Sequence, residues 1–217
     1  MKTTYRQQNN PKGTRRDIQK KETRKAILES TRLLFNDRGY DKTSTRAIAS
    51  AAGVGVGTVF SHFADKTSLL IAALLDDLAK TQTAALQRFP ENGPVCEKFL
   101  HLARYFYAYY ATHPDLSRTL LKEMWFVDGK WGQELVAQAD QFISFVESML
   151  VDAIENDEIK SQTDTRLCAR AFFSHYLNVL FAGLSQQDVD VDDMVDLLSD
   201  LLNQLMEGVG TSDNSTT

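Results

Sequence analysis

Proline and glycine are scarce in this chain, at four and eleven of 217 residues. No series of short alternating apolar and polar segments bounded by turn residues runs along it, so a sheet protein is excluded and an all-α fold is expected. Cysteine is nearly absent. Cys96 and Cys168 lie far apart, and neither has a cysteine or histidine at zinc-ligand spacing, so both are expected as buried thiols outside any disulfide or metal site. Nothing in the sequence calls for a cofactor. Long apolar runs are missing too: "SLLIAALLDDL" is cut by Asp76 and Asp77, well short of the roughly 20 residues that span a bilayer. The start, "MKTTYRQQNNPKGTRRD", has charge but no apolar block, so a secretory signal is not expected. The expected address is the cytoplasm, with no membrane partner.

What the chain does have is charge separated by sign. Residues 1 to 66 hold 14 Lys and Arg against 6 Asp and Glu, and the remaining 151 hold 10 against 23. The net −5 therefore conceals a segment of +8 joined to one of −13. A cationic head on an acidic body suits a protein that touches a polyanion at one end only.

Helical periodicity organises the rest. Ile27, Thr31, Leu34 and Phe35 form one stripe over residues 17 to 38, ended by Gly39. "TSTRAIASAAG" then predicts a short helix with Thr43 or Ser44 as N-cap, Ile48, Ala49 and Ala52 inward, and Gly53 as its stop. In "GTVFSHF", Val59 and Phe63 point to the core while Val56, Phe60, Ser61 and His62 take other faces. Asp65 can cap the next helix, along which Leu69, Leu70, Ala73, Leu74 and Leu78 continue inward. Beyond "RFPENGP", helices are expected near 95–112, 114–126, 130–156, 163–186 and 191–207. The division that follows is a flexible basic arm at 1–16, a helix-turn-helix domain at 17–66, a larger helical domain at 67–207 and a disordered tail at 208–217.

Three alternate glycines, Gly53, Gly55 and Gly57, raise the question of a phosphate loop. A dinucleotide fingerprint would need its third glycine one place later, where Thr58 stands, and a strand ahead of it. An alanine-rich helix precedes it instead, and the Gly-Lys pair of a P-loop is also missing. Gly53 is better used as the left-handed residue of a turn between two helices, and the cationic segment falls on the same stretch.

The run "TRKAILESTRLLFNDRGYDKTSTRAIASAAGVGVGTVFSHFADKTSLL" resembles the DNA-binding head of the tetracycline-repressor (TetR) family over roughly residues 20 to 75. "GY" after the first helix, "IA..AGV" across the turn, "GTVF.HF" in the third helix and the lysine of "DK" carry the likeness; the remaining two thirds match by helix count and length. The resemblance implies a homodimeric transcriptional repressor on a double-stranded, palindromic operator, released when a small-molecule effector enters the C-terminal domain. A short recognition helix reads few bases, so two heads about 34 to 36 Å apart, or a multiple, supply the remaining information. The alternatives are a regulator without a ligand, an activator, or a helical enzyme. For the last, His101, His113 and His175 have no acid, nucleophile or metal partner in the sequence.

Thr43 or Ser44 can offer a hydroxyl and backbone N–H groups to a phosphate, and Arg46 can reach a guanine edge or the backbone. By the resemblance, Thr58 and His62 stand where phosphates are contacted, and Lys66 is a further phosphate partner or a solvated charge. Val56, Gly57, Phe60 and Ser61 complete the expected DNA surface. Gly55, Val56 and Phe60 replace the serine, the Lys or Arg and the tyrosine usual in the family, so those polar contacts do not carry over. Val56 can touch a thymine methyl instead. In the arm, Lys12, Arg15 and Arg16 serve as minor-groove or backbone contacts or as a plain solvated tail.

In "ARYFYAYY", residues 103–110, five of eight positions are aromatic, more than one packing stripe requires. Phe99, Tyr105, Phe106, Tyr109, Trp125, Phe126, Trp131, Phe142, Phe145 and Met149 are expected around an effector cavity, with an ordinary aromatic core as the alternative. An acidic body admits a cationic effector without selecting one. Met194, Leu198, Leu201 and Leu205 at 4-3-4 spacing, with Leu167, Ala171, Phe173, Leu177 and Phe181 on the preceding helix, are expected to form a four-helix dimer interface.

Overall fold

A computed structural model describes residues 14–124 and 127–209. Among these, every regular element is a helix, which matches the all-α expectation. They are α1 (Arg15–Arg38), α2 (Thr45–Ala51), α3 (Val56–His62), α4 (Lys66–Leu86), α5 (Val95–Thr112), α6 (Pro114–Met124), α7 (Gly129–Glu155), α8 (Thr165–Ser185) and α9 (Val191–Val209). The chain divides between Leu69 and Leu70 into two compact units, and α4 runs through the division.

The first unit is built on the long α1 and the short α2 and α3 around Ile27, Leu28, Phe35, Ile48, Val59 and Phe63, all buried. α1 starts two residues before the expected position because Thr14 and Asp17 form a capping box: each side chain accepts the other's backbone N–H. Thus Arg15 and Arg16, expected in a flexible arm, belong to the helix; Lys12 lies outside the described residues. α2 ends in a complete Schellman motif, with the Gly53 N–H on the Ser50 carbonyl at 3.2 Å and the Val54 N–H on the Ala49 carbonyl at 3.0 Å. Gly53 has φ +66°, the left-handed value that a side chain resists. Asp65 caps α4 as its position suggested, accepting the Ser68 N–H at 2.6 Å.

In the second unit, α5, α7, α8 and α9 pack on one another around Phe99, Leu102, Tyr107, Phe172, Val179 and Leu198. The Tyr107 and Tyr176 rings stack at 5.1 Å, and the Tyr107 hydroxyl donates to the Tyr176 carbonyl at 3.0 Å. Helix ends are closed by side chains from elsewhere. Arg118 of α6 donates to the carbonyls of Leu184 and Gln186, at 2.7 and 2.8 Å, and so satisfies the end of α8. Arg166 ties the start of α8 to Asp140 and Glu147 of α7. Of the two thiols, Cys168 is buried but Cys96 is only half-buried, contrary to expectation. Burial, then the charges of Glu158 and Cys168, push the Cys96 thiol up to about 11, which leaves it protonated and unreactive.

Candidate nucleic-acid interface

α3 has three faces. Val59, together with Phe63 just beyond the helix, anchors it to the core. Thr58, Ser61 and His62 turn toward the N-terminal half of α1, where they line an open groove of about 780 Å³ with Arg16, Lys20 and Thr23. Gly57, Phe60 and Ser61 remain exposed, and Val56 is half-buried. The groove joins hydroxyls, an imidazole and two cations of the kind that position a phosphodiester backbone, with one carboxylate, Asp17, which is engaged in the cap of α1. Burial, followed by repulsion from Lys20 and Arg24, lowers the His62 pKa from its ordinary 6.5. The ring is therefore mostly neutral near pH 7, and a nearby anion would favour its protonated form.

Lys20 and Thr23 were not among the residues expected from sequence. The signal was present: Arg16, Lys20 and Thr23 recur at four and three residues, the spacing of one helix face. Arg46 and Ser44 are exposed at the start of α2, where Ser44 is the N-cap and accepts the Ala47 N–H at 3.2 Å. Thr43, the other candidate, must be corrected. It is 2% exposed, and its hydroxyl donates toward the carbonyls of Gly39 and Leu34 at 2.8 and 3.1 Å. Its proton is committed to closing the loop after α1, so it cannot meet a phosphate. Lys66 is only partly free, because its ammonium donates to the Tyr40 carbonyl at 2.8 Å and sits 4.0 Å from the Tyr40 ring centre.

The second unit holds a separate cavity of about 80 Å³ walled mainly by α5, α7 and α8, with Leu78 of α4 and Met124 of α6. Of the expected effector residues, Phe106 and Phe142 line it, joined by Tyr110, Phe173, Tyr176 and Leu177. The others go elsewhere. Phe99 is fully buried against Phe142 and Phe172. Tyr105 packs on His101, the Tyr109 hydroxyl reaches Asp77 at 3.5 Å, and Phe145 meets Phe89. Met149 lines a different hollow, beside Pro94 and Asn156, and the Trp131 ring lies against Lys130. Trp125 and Phe126 lie outside the described residues. Among the described residues, no charged side chain lines the cavity.

The expected pairing surface is also redistributed. Leu198 is 0% and Met194 4% exposed, so they serve packing of α9 within the unit and offer nothing to a second copy. Leu177 belongs to the cavity wall, as does Phe173. Leu167 remains 66% and Leu197 44% exposed, with Ala171, Phe181, Leu201 and Leu205 half-buried nearby in sequence.

The model of bacterial regulatory proteins of the tetR family matches residues 27–73, a span that includes α2 and α3. The HTH-type transcriptional repressor KstR of Rhodococcus jostii is 27% identical over 184 residues, 84% of this chain and 83% of that protein. The HTH-type transcriptional regulator UidR of Escherichia coli K12 is 25% identical over 178 residues, 79% of this chain and 84% of its own. The fold is similar to that of Thermus thermophilus FadR, a TetR-family repressor solved with lauroyl-CoA. That match has a TM-score of 0.72 and 20% identity, covering 89% of this chain and 98% of the other. Bacillus subtilis FadR, solved with stearoyl-CoA, gives a TM-score of 0.67 at 19% identity over 85% and 98% of the two chains.

Proposed function

The chain belongs to the TetR family of bacterial transcriptional regulators, and from that premise we propose that it is a cytoplasmic homodimeric repressor, released from a two-fold operator by a small effector. The observation that carries the DNA half of this reading is the groove where Thr58 and His62 of α3 face Arg16 and Lys20 of α1. Phosphates lying along it would set the orientation of α3 in a major groove. We assign this work to residues 17–66 together with Arg16, and effector binding and pairing to 67–207. Pairing rests on the apolar side chains that α8 and α9 leave exposed, Leu167 and Leu197.

The effector is read as a molecule whose buried part is apolar and uncharged, because burying an unpaired charge in such a lining is costly. An acyl thioester is the first class to test, given the acyl-CoA molecules bound to the two similar structures. An apolar cavity of about 150 Å³ holds a benzene; at about 80 Å³ this one admits a longer chain only if its walls move. Entry and rearrangement are then one event, which is what a ligand needs to shift a population. His101 is taken as structural: its Nε2 is 2.9 Å from the Ala85 carbonyl.

The test is an electrophoretic shift with the full-length protein and DNA upstream of its own gene, with and without acyl-CoAs of graded length. Effector and operator must weaken each other by one factor. A ligand that binds tightly and leaves operator affinity unchanged is no inducer, and no preference for any duplex over random competitor defeats the whole reading.

A further inference from the structure

The free face of α3 lacks the groups that read bases by paired hydrogen bonds. Arg or Lys on guanine and Asn or Gln on adenine are the usual bidentate readers, and the helix sequence "VGTVFSH" contains none of them. Thr58, Ser61 and His62 line the groove beside α1. Ser61 is exposed, but its hydroxyl proton goes to the Thr58 carbonyl at 2.7 Å. What remains toward solvent is Gly57, the half-buried Val56 and the ring of Phe60, which is 52% exposed.

Neither Phe60 nor Gly57 is there for the fold. Val59 and Phe63 already anchor the helix at 0% and 2% exposure. Gly57 sits within a helix, outside the positive-φ glycines, and a Cβ built on it meets no atom within 4 Å. Glycine is the poorest helix former after proline, so alanine would suit the isolated chain better. A bare backbone beside an exposed ring has a use only where another surface comes close.

We propose that α3 selects its operator by apolar contact with thymine methyl groups, with Phe60 and Val56 touching the methyls and Gly57 letting the helix backbone approach the base edges. The inference rests on the DNA-binding reading above and names what that site recognises. Thymine alone among the four bases presents a methyl in the major groove. The charge needed to bring a duplex there lies alongside, in Arg16 and Lys20 of the adjoining groove. A methyl on residue 57 would hold the helix off by about 1.5 Å, one carbon–carbon bond, enough to break the contacts on either side.

The full-length protein is used to select duplexes from a random pool, and the selected duplex is resynthesised with deoxyuridine replacing each half-site thymidine in turn, which removes only the methyl. The expected result is one or more positions per half-site where uracil weakens binding about fourfold, the value of one buried methyl. Phe60→Ala should abolish that sensitivity at its own position, so that uracil and thymine bind alike. Gly57→Ala should raise the urea midpoint of the protein while weakening the selected duplex at least about tenfold. Equal affinity for the all-thymine and all-uracil duplexes, or uracil sensitivity that survives both Phe60→Ala and Val56→Ala, overturns the proposal with DNA binding left intact. A protein that enriches no duplex overturns the DNA reading and this inference together.

Discussion

Lys66 separates a structural role from a DNA role by measurement. It is the first residue of α4, where the positive end of the helix dipole disfavours a cation by about 0.3–1 kcal/mol. The Tyr40 carbonyl holds it there at 2.8 Å, and its ammonium lies over the Tyr40 ring at 4.0 Å. Tyr40 is itself bonded through its hydroxyl to Thr67 at 3.0 Å and packed on Phe35 at 5.3 Å, so the lysine closes a staple between the loop after α1 and the start of α4. A charge-assisted bond contributes about 1.5–3 kcal/mol and a cation–π contact about 0.5–1. Lys66 is half-exposed, so solvent screening reduces both, and relief of the dipole offsets part of the remainder. Lys66→Ala should therefore cost about 1–2 kcal/mol, a drop in Tm of roughly 2–8 °C for a chain of this length. If the ammonium also meets a phosphate, the slope of log K against log salt should fall by about 0.9 per subunit. Urea unfolding measures the first and fluorescence anisotropy on the operator between about 50 and 200 mM salt the second. An unchanged unfolding midpoint refutes the staple, and an unchanged slope removes Lys66 from the DNA surface.

His62 gives a pH dependence of two signs. Its folded pKa is lowered, first by burial and then by Lys20 and Arg24, so the unfolded chain binds the proton more readily: stability is intact above about 6.5 and declines as pH falls through the lowered folded value. Phosphate favours the protonated ring, so operator affinity should instead rise between pH 7.5 and 5.5; His62→Gln should flatten both trends, and affinity that falls with acid and ignores the substitution removes His62 from the interface. Gly183→Ala would place a Cβ 2.6 to 2.9 Å from three side-chain atoms of buried Met194. Overpacking of about 1–3 kcal/mol against a helix gain of about 1 predicts a net loss of roughly 0–2. In a Met194→Ala background the same change should stabilise by about 1 kcal/mol, and urea denaturation showing no reversal of sign would sink the packing argument.

Helix positions were readable because the buried apolar residues within the first unit's helices follow a 3.6-residue repeat and some ends carry a local signal, such as Asp65 ahead of α4 or Gly53 after α2. Which neighbour covers an apolar stripe was not. The 4-3-4 spacing of Met194, Leu198, Leu201 and Leu205 states that α9 has an apolar face, but a partner copy and the chain's own α5 and α8 satisfy that pattern equally well. The structure gives Leu198 to the chain itself. Aromatic richness failed for the same reason: Phe99 and Phe106 are alike in sequence, and only packing makes one core and the other cavity wall. Thr43 and Ser44 were adjacent hydroxyls with one capping role between them. The backbone settles it, because Thr43 is drawn under the loop to the Gly39 carbonyl while Ser44 stays at the helix start.

The three alternate glycines then have three different causes. Gly53 is required by the chain, since its φ of +66° closes the Schellman turn. Gly55 is tolerated: it holds the N-cap of α3 with no side-chain bond, and a Cβ there would meet only Thr58 Oγ1 at an ordinary 3.8 Å. Serine would fit and would cap a free N–H, for a gain of a few tenths of a kcal/mol. Gly57 is neither required nor neutral, because glycine is a poorer helix former than alanine, by up to about 1 kcal/mol, and a Cβ there would meet open space. A loss that the folded chain does not recover internally has to be recovered in a complex, and the exposed ring of Phe60 on the same helix shows the same imbalance. The residues that local rules explain worst are therefore the ones from which the operator contacts should be sought.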